Sequence, residues 1–220
     1  MKKLFVTMMA LLGLLTMIPI ADAYSVSAGD KVIIDWGIGN ANGGGAFNIK
    51  ATDGTILFDS FCLERTEYFN PGYTYYVGSI TNGAITGGYS GGNPDPISSQ
   101  TAYLYSRWAT GIIDHTAINA NALQLAIWNF EGEIGAYPNL TSVLSGNILA
   151  NVFIQDANDN NNGSLYGVQV MNMYSSYNQS TGVYSGYKQD QLIYNAVPEP
   201  ATLLLLGFGL FGIGLQRRKR

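Results

Sequence analysis

The interior of this chain predicts an α+β fold: a mainly antiparallel β-sheet or barrel that carries an inserted helical subdomain. Three observations point there. Short runs rich in β-branched and aromatic residues come first, parted by glycine-rich turns. The middle of the chain then changes to helical spacing. Strand character returns before the C-terminal segment, and strands, helices, strands is the order of an α+β domain.

The first strands are Lys31–Trp36, Ala46–Lys50 and Ile56–Glu64. Asn42-Gly43-Gly44-Gly45 and Asp53-Gly54 separate them, and Asp-Gly favours the tight turn of a hairpin. Tyr73–Ile80 reads as a fourth strand, and 81–96 as a loop dense in Gly and Pro. From Ser98 to Trp108, the residues Ala102, Leu104, Tyr105 and Trp108 fit a helix, with Ser98 or Ser99 as N-cap. From Ala117 to Phe130, apolar residues lie nearly all round, which predicts a broadly buried helix. A third helix is expected over Asn139–Gln155, and a polar loop over Asp156–Gly163. Tyr166–Tyr174 and Gln191–Tyr194 resume strand character, with Ser175–Gln189 as a long hairpin or loop.

Both ends of the 220-residue chain stand apart from this domain. Lys2-Lys3, an apolar run from Leu4 to Ile20 and Ala21-Asp22-Ala23 have the three parts of a secretory signal peptide. The expected division is therefore a signal peptide at 1–23, an extracellular domain at 24–195 and a tail at 196–220. The tail holds Val197-Pro198-Glu199-Pro200, an apolar stretch over about 201–215, and Arg217-Arg218-Lys219-Arg220. That stretch of about 15 residues is short against the roughly 20 of a full membrane span. The basic end stays cytoplasmic by the positive-inside rule, so the domain faces the periplasm. The two prolines keep the backbone extended just outside the bilayer, which suits a protease cleft.

This tail resembles the PEP-CTERM sorting signal of Gram-negative bacteria. The resemblance implies recognition by exosortase, a membrane-embedded cysteine protease, with cleavage near Pro198-Glu199-Pro200. It implies the inner membrane as a transient anchor, then the cell surface or extracellular matrix as destination, and an association with exopolysaccharide and biofilm.

Between Tyr24 and Val197, thirteen acidic side chains face five basic ones, a net charge of −8. Such a domain repels phosphate backbones, so nucleic acid is excluded as a partner. Cys62 is the single cysteine, so no internal disulfide forms and the core must hold the domain together. A lone cysteine in an exported chain is buried and inert, paired with another chain, or chemically active.

Phe61-Cys62-Leu63-Glu64 ends a predicted strand, and Leu123-Gln124-Leu125-Ala126-Ile127-Trp128 lies on a predicted helix. Together they resemble the bacterial thioester domain of Gram-positive surface adhesins. The resemblance implies a thioester between Cys62 and Gln124, with Phe61, Glu64, Ala126 and Trp128 around it. Leu123 stands where that family carries threonine. It also implies a partner that supplies a Lys amine or a hydroxyl as nucleophile. A primary amide is a poor electrophile, so the attack requires enforced proximity, which can supply effective molarities of about 10⁵ M or more. Trp128, Phe61 and Tyr68 are the expected shields against water. The rival reading is an inert, buried Cys62 in a non-covalent structural or polysaccharide-binding matrix protein.

Other signals carry less. His115 beside Asp114 reads as a loop histidine, since neighbouring residues rarely orient each other. One His and one Cys do not make a zinc site. Glu131 and Glu133 read as turn residues rather than a glycosidase pair. Asp156, Asn158 and Asn160 have calcium-loop spacing, but Asn161 replaces the turn glycine. Gly39–Gly45 lacks the Lys-Ser/Thr of a phosphate loop. No enzyme activity, metal or cofactor is expected.

Overall fold

A computed structural model describes residues 26–40 and 43–195. The expected signal peptide, the Pro-Glu-Pro motif, the apolar stretch and the basic end lie outside the described residues. Among the described residues, no helix is long and apolar enough to cross a membrane.

Six strands form one antiparallel sheet: β1 (Lys31–Trp36), β2 (Phe47–Lys50), β3 (Ile56–Ser60), β4 (Tyr73–Thr81), β7 (Val168–Asn178) and β8 (Val183–Tyr194). Their order across the sheet is β3-β2-β1-β4-β7-β8. Two short strands, β5 (Gly83–Ala84) and β6 (Asp95–Pro96), pair within the loop after β4. Alternation sets the faces: Val32 and Ile34 of β1, and Phe47 and Ile49 of β2, are buried while their neighbours are less so. With Tyr75, Val77, Met171, Met173, Cys62 and Ile193 they form one core cluster. Gly54 has φ +91°, so the Asp53-Gly54 turn needs glycine, and β2 and β3 form the expected hairpin.

The helices sit between β6 and β7: α1 (Ser99–Ala109), α2 (Ala117–Phe130), a 3₁₀ turn (Glu133–Ala136), α3 (Leu140–Gly146) and α4 (Ile148–Asn160). Ser98 caps α1 by accepting from Thr101 N, and Thr116 caps α2 by accepting from Asn119 N. Every residue of α2 from Ala122 to Trp128 is buried. A second core cluster joins Leu104, Trp108, Leu123 and Ile127 from the helices to Val170 and Leu192 from the sheet.

Four expectations are corrected. The sheet is not a closed barrel. Its two edges meet at one bridge, Cys62–Gln191, flanked by hydrogen bonds from Leu63 N to Asp190 O (3.4 Å) and from Leu192 N to Phe61 O (3.3 Å). The predicted strand Ile56–Glu64 stops at Ser60, because there the chain leaves β2 and turns to β8. The predicted helix Asn139–Gln155 is two helices, because Asn147 is extended (φ −93°, ψ 94°) and caps α4 through Ala150 N. The predicted loop Asp156–Gly163 is helical as far as Asn160, whose side-chain amide donates to Asp156 O and Oδ1. That ties the calcium-like residues into a helix, and no group of three or more His, Cys, Asp or Glu among the described residues is placed to hold a metal.

Candidate functional site

The bridge between the sheet edges is the candidate site. Pairing with Gln191 without mutual hydrogen bonds leaves the N–H and C=O of Cys62 turned away from β8. A buried backbone edge must find partners, and Gln124 supplies them. Its Nε2 donates to Cys62 O at 2.9 Å, and its Oε1 accepts from Cys62 N at 3.3 Å. Gly45 N also donates to Gln124 Oε1, at 3.3 Å. Two backbone N–H groups therefore converge on one amide oxygen, with Gln124 wholly buried and Cys62 1% exposed.

Two glycines make this approach possible. A Cβ on Gly44 would lie 2.7 Å from Gln124 Cγ and 2.6 Å from Trp128 Cη2, so only glycine lets the loop lie on the helix. Gly45 has φ +140°, a backbone state that other residues rarely adopt.

The Cys62 sulfur faces a different pair of amides. Its thiol donates to Gln189 Oε1 at 2.9 Å, and Gln191 Nε2 lies 3.8 Å from the sulfur. Burial pushes the Cys62 thiol well above its ordinary range, and the Glu64 carboxyl adds to the rise. The group is a protonated thiol, not a standing thiolate. Gln189 Nε2 donates in turn to Glu64 O, a tight contact. Glu64 itself is buried. Desolvation raises it well above the usual carboxylate range, as does the nearby Asp190 carboxylate. Its Oε2 accepts from Asp190 N at 3.1 Å, while Oε1 has no hydrogen-bond partner. Asp190 is pushed up to about 7 by burial, against three donors that favour its charge: Ile85 N, Met173 N and Asn172 Nδ2.

The structure thus brings Gln124 against Cys62 from 62 residues away in the sequence, and places Glu64, just after Cys62 in the chain, against Gln189 and Asp190. Trp128 packs edgewise on Gly44, with the Arg65 guanidinium carbon 5.2 Å from its ring centroid. Ala126 and Phe61 belong to the helical core instead, where Phe61 stacks edge-to-face on Trp108 at 5.1 Å. Tyr68 is 59% exposed and touches Tyr137 through their hydroxyls, so it does not cover the sulfur. Sequence reasoning missed Gly44, Gly45, Gln189 and Gln191. An amide on either side of an acid in a strand that then turns apolar, Gln189-Asp190-Gln191-Leu192-Ile193, was the available signal.

Elsewhere, His115 pairs with Asp59 at 3.5 Å rather than with Asp114, and stacks on Trp108 with ring centroids 4.2 Å apart. Glu131 accepts from Ser98 and Thr101, and Glu133 accepts from Arg65 N and Tyr89 N.

Residues 196–219 match the family model described as the PEP-CTERM protein-sorting motif. The motif begins directly after the last described residue, Asn195, so the sheet and helices belong wholly to the part that it delivers. The PEP-CTERM motif implies exosortase as processing partner and a surface or extracellular destination. No curated protein and no solved structure matches the chain.

Proposed function

We infer that this exosortase-sorted protein couples covalently to a surface or matrix partner through a thioester between Cys62 and Gln124. The observation that carries the reading is the pair of backbone N–H groups, of Cys62 and Gly45, on the Gln124 carbonyl oxygen in a dry interior. Donors aimed at that oxygen stabilise the negative charge it gains when a nucleophile adds to the amide carbon, and such contacts shorten as the charge grows. The nucleophile is on the residue that already grips the amide.

In the forming step the Cys62 sulfur adds to the Gln124 carbonyl carbon. The carbon–nitrogen bond breaks, and the thiol proton leaves with the nitrogen as ammonia. In the coupling step an amine or hydroxyl of the partner adds to the same carbon. The carbon–sulfur bond breaks, the thiol is regenerated with the partner's proton, and an amide or ester remains.

Intact-mass measurement of the full chain tests this. The expected result is a mass lower than the sequence requires by one ammonia, to which methylamine then adds its whole mass at Gln124, leaving the chain one CH₂ heavier than the plain sequence. Cys62→Ala abolishes both effects. A fresh wild-type mass equal to that of the plain sequence overturns the covalent reading.

A second reading has its own support. The reciprocal bonds of Gln124 to Cys62 N and O copy those of a neighbouring strand, so the amide also serves to finish a sheet edge. On that reading the chain is a non-covalent structural or polysaccharide-binding matrix protein, and the measured mass is that of the plain sequence.

The sorting step has a separate test. Glu199→Ala, or removal of residues 217–220, is expected to leave unprocessed protein in the membrane, visible as a larger species on immunoblots. Unchanged processing and release would count against recognition through this tail.

A further inference from the structure

One residue touches both the sulfur and a path to solvent. Gln189 is 7% exposed; its Oε1 holds the Cys62 thiol at 2.9 Å, and its side chain lines a half-open cavity of about 230 Å³. Trp128 lines the same cavity, and its ring is wedged beside Gly44 against the Gln124 side of the site. Aromatic side chains including Trp36, Tyr68 and Phe69 form the outer walls. Both halves of the proposed thioester thus back onto one recess, with an amide between the recess and the sulfur.

Resting on the thioester reading, we propose that Gln189 is a gate: its side chain closes the floor of this cavity over Cys62, and the cavity is the way in for the attacking nucleophile. The closure has two tethers, the thiol on Oε1 and the Glu64 carbonyl oxygen on Nε2. Acylation of the sulfur removes the S–H, so the first tether is lost once the thioester exists. The gate is therefore held fast over the free thiol and loosened over the reactive bond. This keeps bulk water and thiol reagents out before the bond forms and admits a slender nucleophile afterwards. The cavity volume suits a single unbranched side chain or small amine rather than a folded surface.

The test is arranged so that the gate stands or falls apart from the thioester. The full chain, in detergent, is first treated with hydroxylamine, which opens any thioester and leaves Cys62 as a free thiol in every case. Alkylation of Cys62 is then timed with iodoacetamide and with a bulky polyethylene-glycol maleimide. Gln189→Ala is expected to speed iodoacetamide by about tenfold or more and to leave the bulky reagent slow, because the route is a small recess and not an unfolded chain. Gln189→Met, which keeps the volume and loses both tethers, is expected to fall between wild type and alanine, because the bulk remains while the closure is no longer held. Equal acceleration of both reagents in the alanine variant means general opening and overturns the gate. No acceleration in the alanine variant overturns it as well, as does a methionine variant no faster than wild type, since the hydrogen bonds would then hold nothing. Loss of the ammonia-deficient mass in untreated wild type sinks the thioester reading but leaves these alkylation rates to judge the gate.

Discussion

Strand β8 has two ends that obey different rules. At its hairpin tip, residues 183–187 are mostly exposed and carry no charge, and the opposing 175–178 of β7 are equally polar. There Tyr177 and Tyr184 pack ring to ring at 4.5 Å, and the Ser176 and Ser185 hydroxyls hydrogen-bond each other at 2.8 Å. At its base, residues 189–193 are buried, and three of the five are Gln189, Asp190 and Gln191. Polar atoms at the tip are interchangeable because water replaces any lost partner. Polar atoms at the base are not, because a buried donor or acceptor without a partner costs about 1–3 kcal/mol. The same strand thus serves as surface at one end and as part of the buried polar cluster around Cys62 at the other.

The largest break in that contrast comes from Gln124→Leu. Leucine fits the helix but leaves Cys62 N, Cys62 O and Gly45 N without the partner they have now. A loss of about 4 kcal/mol is expected from urea unfolding of the reduced chain, together with loss of any ammonia-deficient species. A cost under about 1 kcal/mol would mean that water reaches this edge, and the dry-site argument would fail.

The next effect is pH dependence. Folded Asp190 keeps its proton up to about pH 7, whereas an unfolded Asp releases its own near 4. Between those values the folded state binds more protons, so stability falls as pH rises. The loss from this residue is on the order of 3 kcal/mol by pH 8. Burial raises Glu64, Glu131 and Glu133 in the same direction, so they add to it. Urea midpoints should drop from pH 5 to pH 8, and Asp190→Asn should flatten the profile. A midpoint that rises over this range contradicts the burial of these carboxyls.

These two predictions also mark where sequence reading works. Strands β1 to β3 were legible because β-branched and aromatic runs and the Asp53-Gly54 turn are local, and helices α1 and α2 because Ser98 and the apolar run of Ala122–Trp128 are local too. Paired short motifs 62 residues apart pointed to Cys62 and Gln124, and the fold places the Gln124 side chain in hydrogen-bond contact with the Cys62 backbone. Gln189, Gln191 and Gly45 were not found: the run of amide, acid and amide before Leu192-Ile193 hints at burial, but nothing local says that these residues meet Cys62 or Gln124. Their roles follow from an edge-to-edge meeting of β3's continuation with β8, and that is a long-range event. Asn147 shows the same limit at short range: its capping bond to Ala150 N splits a run whose apolar spacing reads as one helix.

The smallest effect is the one that sharpens the contrast, at the tip. Tyr177 lies 6.0 Å from Tyr76 and 4.5 Å from Tyr184, centroid to centroid, so Tyr177→Ser removes two ring contacts. Each such pair is worth about 0.5–1.5 kcal/mol when well packed, and less in a half-exposed hairpin. The expected cost is about 1 kcal/mol. Because Tyr177 shares no partner with Cys62 or Gln124, its effect should add to that of Gln124→Leu within about 0.5 kcal/mol in a double variant. Any ammonia-deficient mass should persist unchanged in the single Tyr177→Ser variant. A strongly non-additive double variant would show that the hairpin tip and the buried base of β8 act as one unit, and the division between them would have to be abandoned.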